Sequence, residues 1–599
     1  MYYRICKHIA LVCLIAMASA CANRGFGPQG GPRDTIPPMI ISERPANGSL
    51  NFNSDNVIIG FNEYIRLNKI QENVLMSPPQ AQAPEIRTIG KRLLIKFTEP
   101  LKDSTTYTIN FGRAICDNNE QVPLVGYSYA FSTGNKLDSL AMLGQVINAE
   151  DLNPVSGLTV GIHPAGEDEL FSTQQFMRIS LTDSLGEFAV KNIRPGEYNI
   201  YALQDISRDF MYQPGEGLAF IDEAITPTIR TEYHTDSDSV VHGHQYWEPA
   251  DLVLWFFREN KQKHYFQRAI RTEKHKFQLI FGAPQDSLPK LKAIGEVDLL
   301  QHSLIQANST NDTITIWLTD STAMIDSIYA EMTYKKTDSL YQLQNQTDTI
   351  KAIYKAPNIT AKTLNKIMRR EQNKPLDMRL NARGILQAND TLTLSLGAPV
   401  DSIFADSIHL CYVIDSVETP IAVRIEECDA NHLRYHLIAE LKQDYNYVLR
   451  IDSAAFKDVY KHATKPLTTK FKLRPLEEYS TIRIITPNYS PQMRLQLLND
   501  KDKVLKEVPA SKDGVLFEYL EPRNYYLRMY LDLDGDGKWT TGDWSTKRQP
   551  EPVYYFPARL TLRANWDFEE VFDYTAVPQL ESKPYELIKD AAAALKKKN

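Results

Sequence analysis

Three aspartates at alternate positions, with a fourth further on, give the chain its most chemically specific run. In Tyr525–Trp544, YYLRMYLDLDGDGKWTTGDW, the residues Asp532, Asp534, Asp536, Gly537, Thr540 and Asp543 fall at positions 1, 3, 5, 6, 9 and 12 of a calcium-loop template. Carboxylates spaced this way can converge on one hard cation, the glycine permits the sharp turn between them, and the Lys538 carbonyl would supply position 7. Two readings stand side by side: a loop that holds one calcium ion as cofactor, and a hydrated Asp/Gly turn that only resembles the template. Two features depart from the template: Asp543 is one methylene shorter than the usual bidentate glutamate, and no flanking helices are patterned. A strand precedes the loop, with Tyr525, Leu527 and Met529 alternating with Tyr526 and Arg528.

The run has an echo upstream in Tyr198–Glu216, YNIYALQDISRDFMYQPGE. In each copy a tyrosine stands seven residues before an aspartate (Tyr198 and Asp205, Tyr525 and Asp532), and a proline three residues before the tyrosine (Pro195, Pro522). The upstream copy places Asp205, Ser207, Asp209 and Glu216 at positions 1, 3, 5 and 12, but Phe210 stands where the glycine should be. One β module occurs twice, with a cation loop expected to work only in the second copy.

Other candidate chemistry is thin. A literal GxGxxG at Gly25, Gly27 and Gly30 has no strand before it and no helix after it, so it fails as a dinucleotide turn. His234, Asp236, His242 and His244 lie in the polar stretch Thr226–Glu248, where spacing fixes no complete zinc set and a solvated linker is the expectation. No GxSxG, HExxH, P-loop or CxxC motif stands in the body, so no enzyme is expected. Tyr107, Tyr447 and Tyr525 alternate with polar neighbours and are expected in cores.

The elements that must position these residues follow from the whole chain. Its 599 residues exceed one core and suggest about four to six domains. A net charge of -7 leaves no electrostatic footprint for nucleic acid. Abundant Thr, Tyr, Ile and Val, with few long apolar helix patterns, point to an all-β fold. Arg4, Lys7 and His8 precede the apolar run Ile9–Met17, a signal peptide over residues 1–20. Residues 22–38 are a Gly/Pro-rich tether. Of the six cysteines, Cys6 and Cys13 lie in the signal. Cys411 and Cys428 are open to pairing across neighbouring strands or to remaining buried thiols beside Cys116.

The sequence Ala18-Ser19-Ala20-Cys21 resembles a bacterial lipobox, which implies cleavage before Cys21 and its acylation. FNEYI at 61–65 and EPLKDSTTYTINFGRAICDNNEQVPLVGYSYAFSTG at 99–134 resemble the bacterial Ig-like family named after the S-layer protein SbsA. With GGPRDTIPP and the lipobox, the front end resembles Ig-like-domain lipoproteins of Bacteroidota. DSLGEFAVKNIRPGEYNIYALQD resembles a transthyretin-like or carboxypeptidase-regulatory sandwich. LKQDYNYVLRIDSAAFKD at 441–458 repeats the Ig-like LKDSTTYTINFGRAICD at 101–117. The expected order is an Ig-like domain over 39–134, a transthyretin-like sandwich over 138–240 and a further sandwich over 250–357 opening on Leu252–Phe257. A second Ig-like domain over 376–474 and a second transthyretin-like sandwich over 478–575 follow. Leu364, Ile367 and Met368 pattern a short inter-domain helix in Thr360–Glu371, and residues 582–599 pattern a C-terminal helix. Triplets such as Asp138-Ser139-Leu140 and Asp183-Ser184-Leu185 read as turns entering strands and also resemble the O-glycosylation triplet of exported Bacteroidota proteins.

These resemblances imply a lipid-anchored outer-membrane protein, at the cell surface or on the periplasmic face. They imply a non-catalytic scaffold docking on an envelope protein complex, with the β-barrel assembly machinery as the candidate partner. The alternative is a surface lipoprotein that binds a glycan or peptide. A glycan binder would show aromatics gathered in one loop cluster, and a scaffold a broad docking face.

Overall fold

The computed structural model describes residues 34–235, 241–260, 263–294, 303–338, 342–355, 374–428 and 431–588. The described chain is nearly all β, in paired sheets that close over separate cores. It divides into two compact units, one of residues up to 147 with 155–256, the other of 148–154 with 257–599.

The first unit opens with a sandwich. One sheet has the order Ile40–Arg44, Asn56–Phe61, Arg92–Lys96, Glu85–Ile89, and a three-stranded sheet joins Leu75–Ser77, Thr106–Asn110 and Ser128–Ser132. Two-residue alternation puts Val57, Ile59, Phe61, Leu93, Ile95, Tyr107, Ile109 and Phe111 in the core between them. The Tyr107 hydroxyl accepts from the Lys102 amide at 2.7 Å, which pins the turn before its own strand. Asp117 closes the acidic turn: its carboxylate accepts from the amides of Asn119, Glu120 and Val122.

The second sandwich of this unit has a three-stranded sheet, Glu187–Ile193, Leu140–Asn148, Leu252–Phe256. Against it lies a four-stranded sheet, Arg178–Leu181, Thr159–Pro164, Tyr198–Leu203, Leu218–Phe220. Leu252–Phe256, assigned from sequence to the next sandwich, thus completes this one. An apolar five-residue run carries no signal for which sheet it joins. The stretch expected to be a solvated linker is also structured. Thr228–Thr235 and Val241–Glu248 pair antiparallel as a two-stranded ribbon, with His234 opposite His242 and Glu232 opposite His244 in register.

The two sandwiches of the first unit share a polar joint. The buried Arg178 guanidinium pairs with the buried Asp138 carboxylate at 3.3 Å and donates to the Thr106 carbonyl. Arg194 reaches the same Asp138 oxygen at 3.2 Å and also bonds the Ser104 carbonyl. Asn192 bonds Thr108, and the Ile179 amide donates to Ser77 Oγ at 3.0 Å. Burial draws the Arg178 guanidinium down to about 10, against the opposing pull of Asp138. The first Asp-Ser-Leu triplet therefore supplies a structural carboxylate. At the second, Asp183 accepts from the Leu185 and Glu187 amides, an Asx-type turn entering a strand.

The second unit holds three sandwiches. The first sets Phe266–Glu273, Lys276–Phe281, Thr313–Leu318 and Ser303–Ala307 against Lys290–Ala293, Ser327–Thr337 and Leu343–Ile353. The next has a four-stranded sheet around Thr393–Leu396 and Arg434–Ile438, and a five-stranded sheet around Leu467–Leu473, Asn446–Ile451 and Ile408–Ile414. There the Tyr447 hydroxyl accepts from the Lys442 amide at 2.6 Å, repeating the Tyr107 bond at the aligned position. Cys411 lies on Ile408–Ile414, while Cys428 directly follows Arg424–Glu427 in the other sheet, so they are not cross-strand neighbours.

The last sandwich repeats the strand order of the module at 140–256. Val515–Leu520, Ser480–Ile485 and Asp567–Val571 form the three-stranded sheet. Val504–Pro509, Met493–Leu498, Asn524–Leu531 and Val553–Tyr555 follow in order in the other sheet, where Leu560–Thr561 pairs with Asn524–Leu531 as a fifth strand. In both copies the first strand is the centre of the smaller sheet and the last strand closes its edge. The tyrosine of the repeat is buried in both, its hydroxyl donating to the carbonyl four residues back (Tyr198 to Arg194, Tyr525 to Glu521). The described part of the expected C-terminal helix is a single 3-10 turn, Tyr585–Leu587. The expected inter-domain helix, the signal and Cys21 lie outside the described residues.

Candidate functional site

The acidic loop joins Asn524–Leu531 to Val553–Tyr555 in the last sandwich. The strand delivers Asp532 buried, and one carboxylate then organises the turn: Oδ1 accepts from the Gly535 amide at 2.7 Å and Oδ2 from the Gly537 amide at 3.0 Å. Gly535 and Gly537 take φ of 75° and 77°, the left-handed region in which glycine costs least. The Asp536 carboxylate accepts from the Lys538 amide at 2.7 Å, and Asp534 from the Asp536 amide at 3.3 Å. Asp532, Asp534 and Asp536 each offer an oxygen, all within 4.8 Å of one another. This is the three-carboxylate arrangement that a hard divalent cation fits.

The distal template positions are placed differently. Asp543 is not part of that group: its Oδ1 accepts from the Ser545 amide and hydroxyl, and its backbone pairs with Arg548. The Thr540 amide donates to Glu551 Oε2 at 2.9 Å, and the Leu533 amide to Glu551 Oε1 at 2.6 Å. Buried Glu551 thus ties the two limbs of the loop together, and burial pushes its carboxyl above the ordinary glutamate value despite those amides. It stands outside the twelve-residue template, so motif spacing gave no signal for it.

The upstream echo has the same frame. Asp205 Oδ1 accepts from the Arg208 amide at 2.6 Å and Oδ2 from the Phe210 amide at 3.0 Å, again three and five residues on. Arg208 and Phe210 hold φ of 61° and 59°, so the turn forms without glycine. Glu216 takes the amides of Ile206 and Gln213, each at 3.0 Å, as Glu551 takes those of Leu533 and Thr540. Glu216 therefore corresponds to Glu551, and not to Asp543 as template position 12 implied. It stands three residues after Gln213, whereas Glu551 stands eleven after Thr540, so the second copy carries eight extra residues. Within the second unit that insertion packs on the segment after Phe256. Thr541 donates to the Arg258 carbonyl at 2.9 Å, the Trp544 amide to Glu259 at 2.9 Å, and Gly542 lies against the Phe257 ring.

A second polar cluster lies in a cleft of about 700 Å³ in the second unit. His275 packs on Tyr460 at 4.6 Å between ring centroids, and His462 contacts Asp458 at 3.0 Å. Glu273 contacts Lys276 at 2.8 Å and His275 at 3.1 Å. Glu273 is thus matched by Lys276 and His275 within the wall, and Asp458 by His462. Of the ribbon histidines only the backbone register is described. Among the described residues no helix is long and apolar enough to cross a membrane.

Comparison with known proteins adds little beyond the first domain. No curated protein matches the chain. Similar solved structures include the major pilin subunit BcpA of Bacillus cereus, at 10% identity over 72% of this chain and 98% of that one, with a TM-score of 0.12. Domains 1-6 of the surface layer protein SbsC match at 10% identity over 88% of this chain and 67% of that one, with a TM-score of 0.13. The N-terminal eight Ig domains of the Down Syndrome Cell Adhesion Molecule match at 9% identity over 90% and 61%, with a TM-score of 0.13. TM-scores of this size do not establish a common arrangement. The family result is confined to one stretch: residues 34–133 match the model of the bacterial Ig-like domain.

Proposed function

We propose that this chain is a non-catalytic scaffold of the cell envelope, held to the outer membrane by lipid on Cys21 and docking on an envelope protein complex. The observation that carries the reading is the joint between the first two sandwiches. A buried ion pair of Arg178 with Asp138, reinforced by Arg194, locks the Ig-like domain to its neighbour. A buried charge pair contributes little net stability yet penalises any arrangement that separates its partners, so it suits a part whose task is to hold a fixed surface. The duplicated modules, which we read as transthyretin-like, extend that surface. Domain limits at 134, 256, 357, 474 and 575 are part of the proposal, and the β-barrel assembly machinery is the partner to test first.

Affinity purification of the full chain under mild detergent is expected to recover an envelope protein in fixed ratio. Recovery of the chain alone, in several detergents, overturns the scaffold reading. Cys21→Ser is expected to release the protein from carbonate-washed membranes, and retention there places the anchor elsewhere. We also propose one calcium ion at Asp532, Asp534 and Asp536, with the Lys538 carbonyl and Thr540 completing the shell. The convergence of the three carboxylates supports this. Affinity on the order of 10⁻⁴–10⁻³ M is expected, as in extracellular modules.

A further inference from the structure

A small pocket of about 250 Å³ in the last sandwich collects features that packing alone does not require. It opens where Ser480–Ile485 begins, between the strands Val515–Leu520 and Asp567–Val571 on either side. On one side the ladder bulges: Ser480 opposes Leu520 and Ile482 opposes Phe517, so Thr481 alone faces both Glu518 and Tyr519. Bulges of this kind re-aim side chains. Here Tyr519 is held at φ 55°, a conformation unusual for an aromatic residue, and its ring meets Tyr479 edge-on at 5.7 Å. On the other side Asn565, also left-handed at φ 59°, introduces Trp566 and Asp567.

Trp566 is 54% exposed and Tyr519 is 38% exposed, and both line the pocket. One contact on the indole is already taken, with the Arg563 guanidinium 5.4 Å from the ring centroid, and Phe568 stacks beside it at 5.9 Å. The polar lining is Glu518, Asn565, Asp567 and Thr481, with the Thr481 hydroxyl bonded to Asp567. Two non-glycine residues in the left-handed region, Tyr519 and Asn565, thus turn their side chains and those of their neighbours toward one pocket.

We propose that this pocket is a carbohydrate subsite that seats a single neutral sugar ring. The flat, partly apolar faces of Trp566 and Tyr519 match the C–H face of a pyranose. Glu518 and Asp567 accept from its hydroxyls, and the Asn565 amide can donate or accept. Two carboxylates disfavour a phosphorylated or acidic ligand. The volume falls just under the roughly 300 Å³ at which pockets for drug-sized molecules begin, which suits one ring. The subsite is independent of the scaffold reading, because its residues take no part in the joint between the first two sandwiches.

The test is titration of the full detergent-solubilised chain with maltohexaose, cellohexaose, chitohexaose and mannohexaose, read by tryptophan fluorescence and calorimetry. Saturable binding of at least one series is expected. Trp566→Ala weakens it by roughly tenfold or more, while Trp247→Ala, at an exposed tryptophan in the other unit, leaves it unchanged. Tyr519→Gly separates binding from folding: glycine accepts the left-handed backbone, so melting is unchanged or higher while binding falls. Silence of all four series, or undiminished binding by Trp566→Ala, overturns the proposal. Saturable binding of a hexa-arginine peptide that needs Trp566, with the sugars silent, overturns it in favour of a peptide site.

Discussion

The loops at Asp205 and Asp532 share a backbone and differ in what they carry. Each is organised by an aspartate that takes the amides three and five residues on, and each is tied by a buried glutamate across its two limbs. The first loop forms this turn with Arg208 and Phe210, the second with Gly535 and Gly537. Loss of the turn glycine therefore does not abolish the frame. What separates the copies is the carboxylate set, since Ser207 stands where the second loop has Asp534, and the Ser207 hydroxyl bonds back to Asp205. The loop is in the first place a way to satisfy backbone amides, and the cation we propose for the second copy would be an addition to that frame.

The joints that lead into the two modules differ in kind as well. The first is ionic and buried, through Asp138, Arg178 and Arg194. The second is centred on a neutral hydroxyl, with Tyr479 donating to Gln387 at 2.6 Å and accepting from the Ala388 amide at 3.1 Å, Arg474 stacked on the ring at 5.0 Å, and a part-exposed Arg474–Glu521 ion pair at 3.1 Å beside it.

The largest expected effect separates these joints. Asp138→Asn leaves the Arg178 charge buried and is expected to cost about 3–5 kcal/mol. Tyr479→Phe gives up two hydrogen bonds whose loss is worth about 1–2 kcal/mol. Thermal unfolding of the two variants checks the order, and equal losses would remove the distinction.

Next comes a pH effect confined to the first copy. His163 is buried against Phe176 and Tyr201, and burial lowers its imidazole to about 4 from the ordinary 6.5. Between those values the unfolded chain binds a proton that the folded one refuses. Stability is therefore full above pH 6.5 and falls as pH drops toward 4, by about 3 kcal/mol. His163→Phe should flatten that slope in denaturant melts between pH 7 and 4.

A smaller effect should be the same in both copies. Glu551→Gln and Glu216→Gln each turn one amide acceptor into a donor facing a donor, for a loss of about 1–3 kcal/mol. A loss at only one site would mean that the shared frame is not what holds both loops.

Much of this was open to reading in the residues. Alternation in Asn56–Phe61, Arg92–Lys96 and Thr106–Asn110 named core side chains that are buried in the first sandwich. The proline–tyrosine–aspartate spacing located a repeat that matching strand orders bear out. What escaped depends on pairings across the chain. Glu551 reaches Leu533 over an insertion, Arg178 meets Asp138 forty residues away, and Leu252–Phe256 joins a sheet begun at Leu140 after a ribbon intervenes. The left-handed Tyr519 leaves no mark in composition, because its conformation is imposed by a bulge opposite Thr481.

The two loops differ in their carboxylate set, and calcium titration of the full chain tests that difference most directly. One equivalent should bind in the 10⁻⁴–10⁻³ M range, with a rise in melting temperature. Asp534→Ser, which gives the second loop the serine that stands at this position in the first, should abolish both. Absence of binding in the native chain, or binding that survives Asp534→Ser, would contradict the claim that this one carboxylate separates the two loops.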